Sequence, residues 1–464
     1  MTGKAARRTV ARRAHPVRPP EISRGARLII RVAGNLYLRL ALRVGRLGLA
    51  NWDCVRAALC AFYERENRLL FVFRHVDTAD GPLLMHAVVN RMTGVRRDST
   101  RPHIYFLHGR DVLDWAGALA RWIFPRLGGV PVTNAHNDPA ALRQVRTIVE
   151  HGEHPLAFAP EMQVTYRTHT TGPMASGAAV FARWAAGAYP DIPVVIAPIA
   201  IGYSYRKSPQ RILEVVIRKI ETALCSNGMA RGGRGPADPR QTLIEHTEST
   251  LSLLETIHPA EYALSPARHE PSAHSSVHEY LRVLNRRREK LCELLLARAE
   301  DLLQLDHRGE TLERLFRVRY ASSSLMYRTD IDPDELSPSS RAITDRKAEL
   351  ASQADHLQQI VDVLFYLEPV MVAPENLISR VVEYALNLLD VHNRIHGGTI
   401  DTRYRPRGRR ALLLAGTPIA ASDLLRQHEG KRAIEVLNAA VAEALDNGSQ
   451  EIECRLAEKN PISS

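Results

Sequence analysis

A short apolar run, Leu69-Leu70-Phe71-Val72-Phe73, stops at Arg74-His75, and Gly81-Pro82-Leu83-Leu84 then opens a second apolar stretch. Five consecutive apolar residues have the length of a buried strand. Proline suits the first turn of a helix, and aspartate suits the cap region before it. The segment therefore reads as strand, loop and helix, with His75 leaving the strand and Asp80 at the helix entry. Residues five apart do not share a face of one helix, but a loop between strand and helix can fold these two together. A histidine held by a carboxylate takes a proton from a hydroxyl near neutral pH. The same two residues also fit a surface histidine beside a capping aspartate, and their spacing alone does not choose between the readings.

Alternating strand and helix signals continue from residue 51 to 225, which marks this span as one α/β domain. Strands are expected at 69–73, 103–107, 130–133, 156–159, 194–203 and 213–216, and helices at 82–92, 114–127 and 138–151. Trp115, Trp122 and Phe124 on the second helix fit either an apolar groove or plain core. Residues 226–240, with Gly228, Gly232-Gly233 and Gly235-Pro236, read as a linker. Residues 241–464 read as a mainly helical region without a motif tied to chemistry, although Ala411 to Ala415 fits a lone strand or a helix start.

Three further blocks follow His75 and Asp80 in order: Gly128-Gly129-Val130-Pro131-Val132, then Phe158-Ala159-Pro160-Glu161, then Ile192-Pro193-Val194-Val195-Ile196-Ala197-Pro198-Ile199. Together the four blocks, over roughly residues 50 to 205, resemble the glycerolipid acyltransferase family, whose best-known members acylate 1-acylglycerol-3-phosphate. The resemblance implies an α/β fold with a mixed sheet flanked by helices. It implies an O-acyltransferase that moves a fatty acyl group from coenzyme A or acyl carrier protein to a hydroxyl of a lysophospholipid or related lipid. His75 would deprotonate the acceptor and Asp80 would orient His75. His75, Asp77, Asp80 and His86 also fit metal ligands, but no second ligand cluster of convincing spacing accompanies them, so no metal and no cofactor is expected. By the same resemblance Gly129, Asn134, Pro160 and Glu161 fall in the acceptor-binding blocks, with Glu161 positioning the acceptor.

The later blocks depart from the family pattern. Asn134 stands where the family has arginine, Met162 where it has glycine, and Gln163-Val164 where it has Thr-Arg. Arginine offers phosphate a charged two-pronged donor; an amide and an isopropyl group do not. His136, Arg143, Arg146 and Arg167 are the nearby candidates for a substitute, or else a solvated basic face.

The 464 residues carry a net charge of +11, which suits an anionic membrane, the acidic acyl carrier protein or nucleic acid. No nucleic-acid module or basic–aromatic interleaving supports the last. Five scattered cysteines without a Cys-x-x-Cys pair argue against a disulfide framework and fit a reducing compartment. Residues 1–24 form a basic tail expected to be disordered. Residues 25–50 are expected to form an amphipathic helix, with Arg27, Arg31, Arg39, Arg43 and Arg46 on one half. Such a helix either lies in a membrane interface or packs on the domain. The absence of an apolar run of about 18 residues leaves a peripheral, cytoplasmic place at the membrane as the expectation.

Overall fold

The computed structural model describes residues 9–95, 101–133, 138–229, 238–258 and 276–458. The chain divides into two compact units, Met1–Pro16 with Ser208–Tyr404, and Val17–Lys207 with Arg405–Ser464. The second unit holds the α/β domain. Its strands are β1 (Val44–Ala50), β2 (Arg68–Phe73), β3 (Tyr105–Gly109), β4 (Gly129–Val132), β5 (Leu156–Phe158), β6 (Val194–Tyr205), β7 (Arg409–Ala415) and β8 (Ile419–Ala420). They form one sheet in the order β1-β7-β6-β2-β5-β3-β4, with β8 also paired to β6. Pairing is parallel except where β6 meets β7 and β8.

Strand β2 shows why the sheet needs helices on both faces. Leu69, Phe71 and Phe73 enter one core with the helices Arg24–Leu40, Asp53–Tyr63 and Asp80–Arg91. Leu70 and Val72 enter the opposite core with the helices Pro139–His151, Gly177–Ala188 and Gly430–Glu458. An alternating strand buried on both faces reads as a continuous apolar run. The last of these helices approaches β6 closely: a Cβ on Gly448 would lie 2.8 Å from the Ala200 side chain.

Several expectations are corrected. Residues 25–50 are not one helix: the helix Arg24–Leu40 ends, Arg43 turns the chain with φ of 57°, and β1 follows as a strand beside β7. Residues 213–216 are not a strand but part of the helix Pro209–Ser226, whose buried Ile212, Leu213, Val216, Ile217 and Ile220 follow helical spacing. The helix expected at 114–127 is two, Val112–Trp115 and Gly117–Arg126. The basic tail is ordered where described. Arg12–Arg13 pair with Tyr327–Arg328, Arg13 meets Asp332 at 2.9 Å, and Ala11 is buried, because carboxylates of the helical unit receive the arginine charge. The α/β domain does not end at 225, and residues 405–458 are not part of the helical region. They return to the sheet because apolar Ala411 to Ala415 can bury both faces between β1 and β6.

The other unit is helical, built on Pro209–Ser226, Pro239–Ile257, Val277–Leu303, Thr311–Met326, Pro338–Phe365 and Ile378–Ile395. Of the expected linker, 226–229 and 238–240 are helix ends and turn, and 230–237 lie outside the described residues.

Candidate active site

Strand β2 ends at Phe73, and the helix Asp80–Arg91 begins five residues after His75. The intervening loop folds back on itself. Asp80 Oδ2 accepts the backbone N–H of Asp77 at 2.7 Å and faces His75 Nδ1 at 3.3 Å. Asp80 Oδ1 accepts the phenol of Tyr203 from β6. Asp80 is fully buried, whereas the His75 side chain keeps 27% of its surface. No hydrogen bond among the described residues occupies His75 Nε2. The pair lies at the carboxyl ends of the parallel strands, where open α/β sheets place their sites.

Burial pushes the Asp80 carboxyl above its ordinary range; the hydrogen bond and charge of His75 pull the other way, and the charge of Asp77 adds to the rise. Burial, then the charges of Asp80 and Asp77, push the Tyr203 phenol well above its ordinary value, so it remains a donor.

The backbone of His75 is held as firmly as its ring. Its N–H donates to Glu161 Oε2 at 2.8 Å, and its carbonyl accepts the N–H of Thr165 at 2.7 Å. The other oxygen of Glu161 accepts Arg74 Nε at 3.1 Å and the N–H of Gly172 at 2.8 Å. Arg74, fully buried, also donates to the carbonyls of Arg167 at 3.0 Å and Thr170 at 2.6 Å, and to Ser449 on the last helix. Both oxygens of buried Glu161 are taken by protein donors, and its side chain braces the backbone of His75.

The other expected residues divide. Pro160 lies beside Glu161, with its carbonyl accepting the N–H of Ala175 at 2.8 Å, and Arg167 is buried with its carbonyl on Arg74. Gly129 sits inside β4, where a Cβ would lie 2.9 Å from both the Phe106 ring and the Phe124 carbonyl; it is there for packing. Arg143 and Arg146 are exposed on the helix Pro139–His151, with Arg146 on Glu150 at 2.7 Å, and no hydrogen bond or ion pair ties either to the His75 group. Asn134 and His136 lie outside the described residues. Met162 holds φ of 58°, the left-handed region that favours the glycine usual at this place. Trp122 is exposed, with Arg126 4.8 Å over its ring, so it is not core. His86 meets Asn90 at 2.9 Å and not the His75 group.

Residues 59–201 match the family model Acyltransferase. The match spans well under half of the chain, and over it the family resemblance read from the four blocks holds. This acyltransferase domain contains His75, Asp80 and Glu161 and supports acyltransferase activity in general. No curated protein and no solved structure matches the chain.

Nothing in the sequence marked Tyr203, Arg74 or Ser449. Residues 403–410 carry five further arginines, Arg403, Arg405, Arg407, Arg409 and Arg410, and two of them reach this site. Arg409 reaches Asp77 at 3.1 Å and lies 4.1 Å over the Tyr203 ring, while Arg405 reaches Asp77 at 3.6 Å and Thr78 at 2.9 Å.

Proposed function

We propose that this protein transfers a fatty acyl group from a thioester of coenzyme A or acyl carrier protein to a hydroxyl of a lysophospholipid or related lipid. The observation that carries the reading is a partly exposed imidazole whose Nδ1 faces a buried carboxylate and whose Nε2 is open to a substrate. His75 Nε2 takes the acceptor's hydroxyl proton as the oxygen attacks the thioester carbonyl. Collapse of the tetrahedral intermediate breaks the carbon–sulfur bond, and the imidazolium returns the proton to the leaving thiolate. Asp80 holds the ring and balances its charge during the step.

The acceptor would come from a membrane. On the helix Arg24–Leu40, Leu28, Val32, Leu36 and Leu40 form an exposed stripe, with Arg24, Arg31 and Arg39 also exposed. An apolar stripe edged by arginines suits the interface of an anionic bilayer. No helix among the described residues is long and apolar enough to cross a membrane, and a peripheral place on the cytoplasmic side fits this face.

A second reading, a lipid-binding or scaffolding protein on an acyltransferase fold, is favoured by one observation. The acid that survives in the third block, Glu161, is spent on Arg74, Gly172 and His75. Purified protein with a labelled acyl thioester and a panel of lysophospholipids and neutral alcohols separates the two. Transfer to any acceptor that depends on His75 supports the enzyme; lipid binding without turnover supports the scaffold. Because Asn134, Met162 and Val164 replace the usual clamp, lysophosphatidic acid is expected to be a poor acceptor in that panel.

A further inference from the structure

We propose that Arg409, from the strand β7 that returns after the helical unit, is a positioning residue for the His75–Asp80 pair. One guanidinium serves both arms that hold Asp80. Its Nη2 lies 3.1 Å from Asp77 Oδ2, and the backbone N–H of Asp77 is what Asp80 Oδ2 accepts at 2.7 Å. The same group lies 4.1 Å over the ring of Tyr203, whose phenol donates to Asp80 Oδ1. Arg409 is almost fully buried, so solvent screens little of this charge.

The need for such a cation follows from the loop. Asp77 and Asp80 are two carboxylates three residues apart, with Asp80 fully buried, and the charge of Asp77 raises the proton affinity of Asp80. Arg409 offsets that charge. Burial draws the Arg409 guanidinium down, but the charge of Asp77, followed by those of Tyr203, Tyr205 and Asp80, raises it on balance, so it stays a cation. A cation over the Tyr203 ring also favours the phenol as a donor. The charged and titratable groups around the pair are Asp77 on its own loop, Tyr203 and Tyr205 on β6, Arg405 and Arg409 from the returning segment, and Arg74 with Glu161 beneath His75. Arg409 touches both Asp77 and Tyr203.

Turnover enters this proposal only through the acyl-transfer reading; the proton affinity of the pair does not depend on it. Arg409→Gln, Arg409→Lys and Tyr203→Phe are made in the full chain. The His75 ring is followed by NMR against pH, its signals identified by their loss in His75→Gln. Removing a neighbouring positive charge favours proton uptake, so Arg409→Gln is expected to move the first protonation of the pair upward by about one pH unit or more. The acid limb of kcat/KM for acyl transfer is expected to move the same way. Arg409→Lys keeps the charge and is expected to bring the midpoint back toward wild type. Tyr203→Phe, which removes a donor to the carboxylate, is expected to shift the midpoint upward and serves if Arg409→Gln does not fold. A folded Arg409→Gln with the wild-type midpoint, or Gln and Lys variants with equal midpoints, overturns the proposal, as does an unmoved midpoint in Tyr203→Phe. If the wild type transfers no acyl group to any acceptor, the acyl-transfer reading fails while the NMR midpoints still decide the role of Arg409.

Discussion

Glu161 accepts the backbone N–H of His75 at 2.8 Å. Two residues from separate motif blocks, 86 positions apart, thus share one hydrogen bond. The surviving acid of the third block fixes where His75 leaves its strand, and Arg74 holds that acid through its guanidinium.

Glu161→Ala is expected to cost stability before it costs substrate affinity. The Arg74 and Glu161 side chains are both fully buried, and breaking a buried pair from one side costs about 3–5 kcal/mol. Chemical denaturation of the variant should show a loss of that order. A raised KM with unchanged stability would return Glu161 to the acceptor side.

His75→Ala should leave the fold intact, because the ring is partly exposed and outside both cores. Loss of a general base lowers turnover by about 10²–10⁴-fold. Acyl transfer measured beside a circular dichroism melt decides the matter. Near-normal turnover in a folded variant would remove His75 from the chemistry.

Val32→Glu with Leu36→Glu should weaken binding to anionic vesicles about tenfold or more, given the roughly 1.5–3 kcal/mol carried by each buried aliphatic side chain. Added salt should weaken binding by the wild type further. A deletion of residues 1–50 is a poorer test, because it would also remove β1 from the sheet. Vesicle sedimentation unchanged in the double variant would leave the face without a membrane role.

Deleting residues 405–464 should yield an unfolded or aggregated protein. The deletion removes β7 from between β1 and β6, together with Ser449 beneath Arg74. Exposed strand edges of this kind pair with other chains. A soluble fragment with a cooperative thermal transition would show that the sheet closes without it.

His103 is fully buried, and burial lowers its imidazole to about 4 despite a backbone hydrogen bond at Ile104 that raises it. The unfolded chain binds this proton near the ordinary value of about 6.5. Stability is therefore full above pH ~6.5 and falls as pH drops toward about 4, by about 1.4 kcal/mol per unit from this group. Denaturation midpoints across that window should fall less steeply for His103→Leu than for wild type. Parallel slopes would locate the acid sensitivity elsewhere.

Sequence by itself determined what local chemistry can determine. The apolar run of β2 ending at His75, the entry of a helix at Asp80 and the capping Asp138-Pro139 are set by neighbours in the chain, and each lies within a residue or two of its expected place. The order of the motif blocks identified the acyltransferase domain. Only the tertiary structure decided what surrounds the pair. Tyr203, Glu161 and Arg409 stand 123, 81 and 329 positions from Asp80 along the chain, and no periodicity or spacing links residues so far apart. Strand β7 was ambiguous because five apolar residues suit strand or helix equally; its burial between β1 and β6 resolved it and carried Arg409 to Asp77. For Glu161 the family resemblance alone suggested an acceptor-side role; its burial against Arg74 and its bond to the His75 backbone were visible only in the tertiary structure.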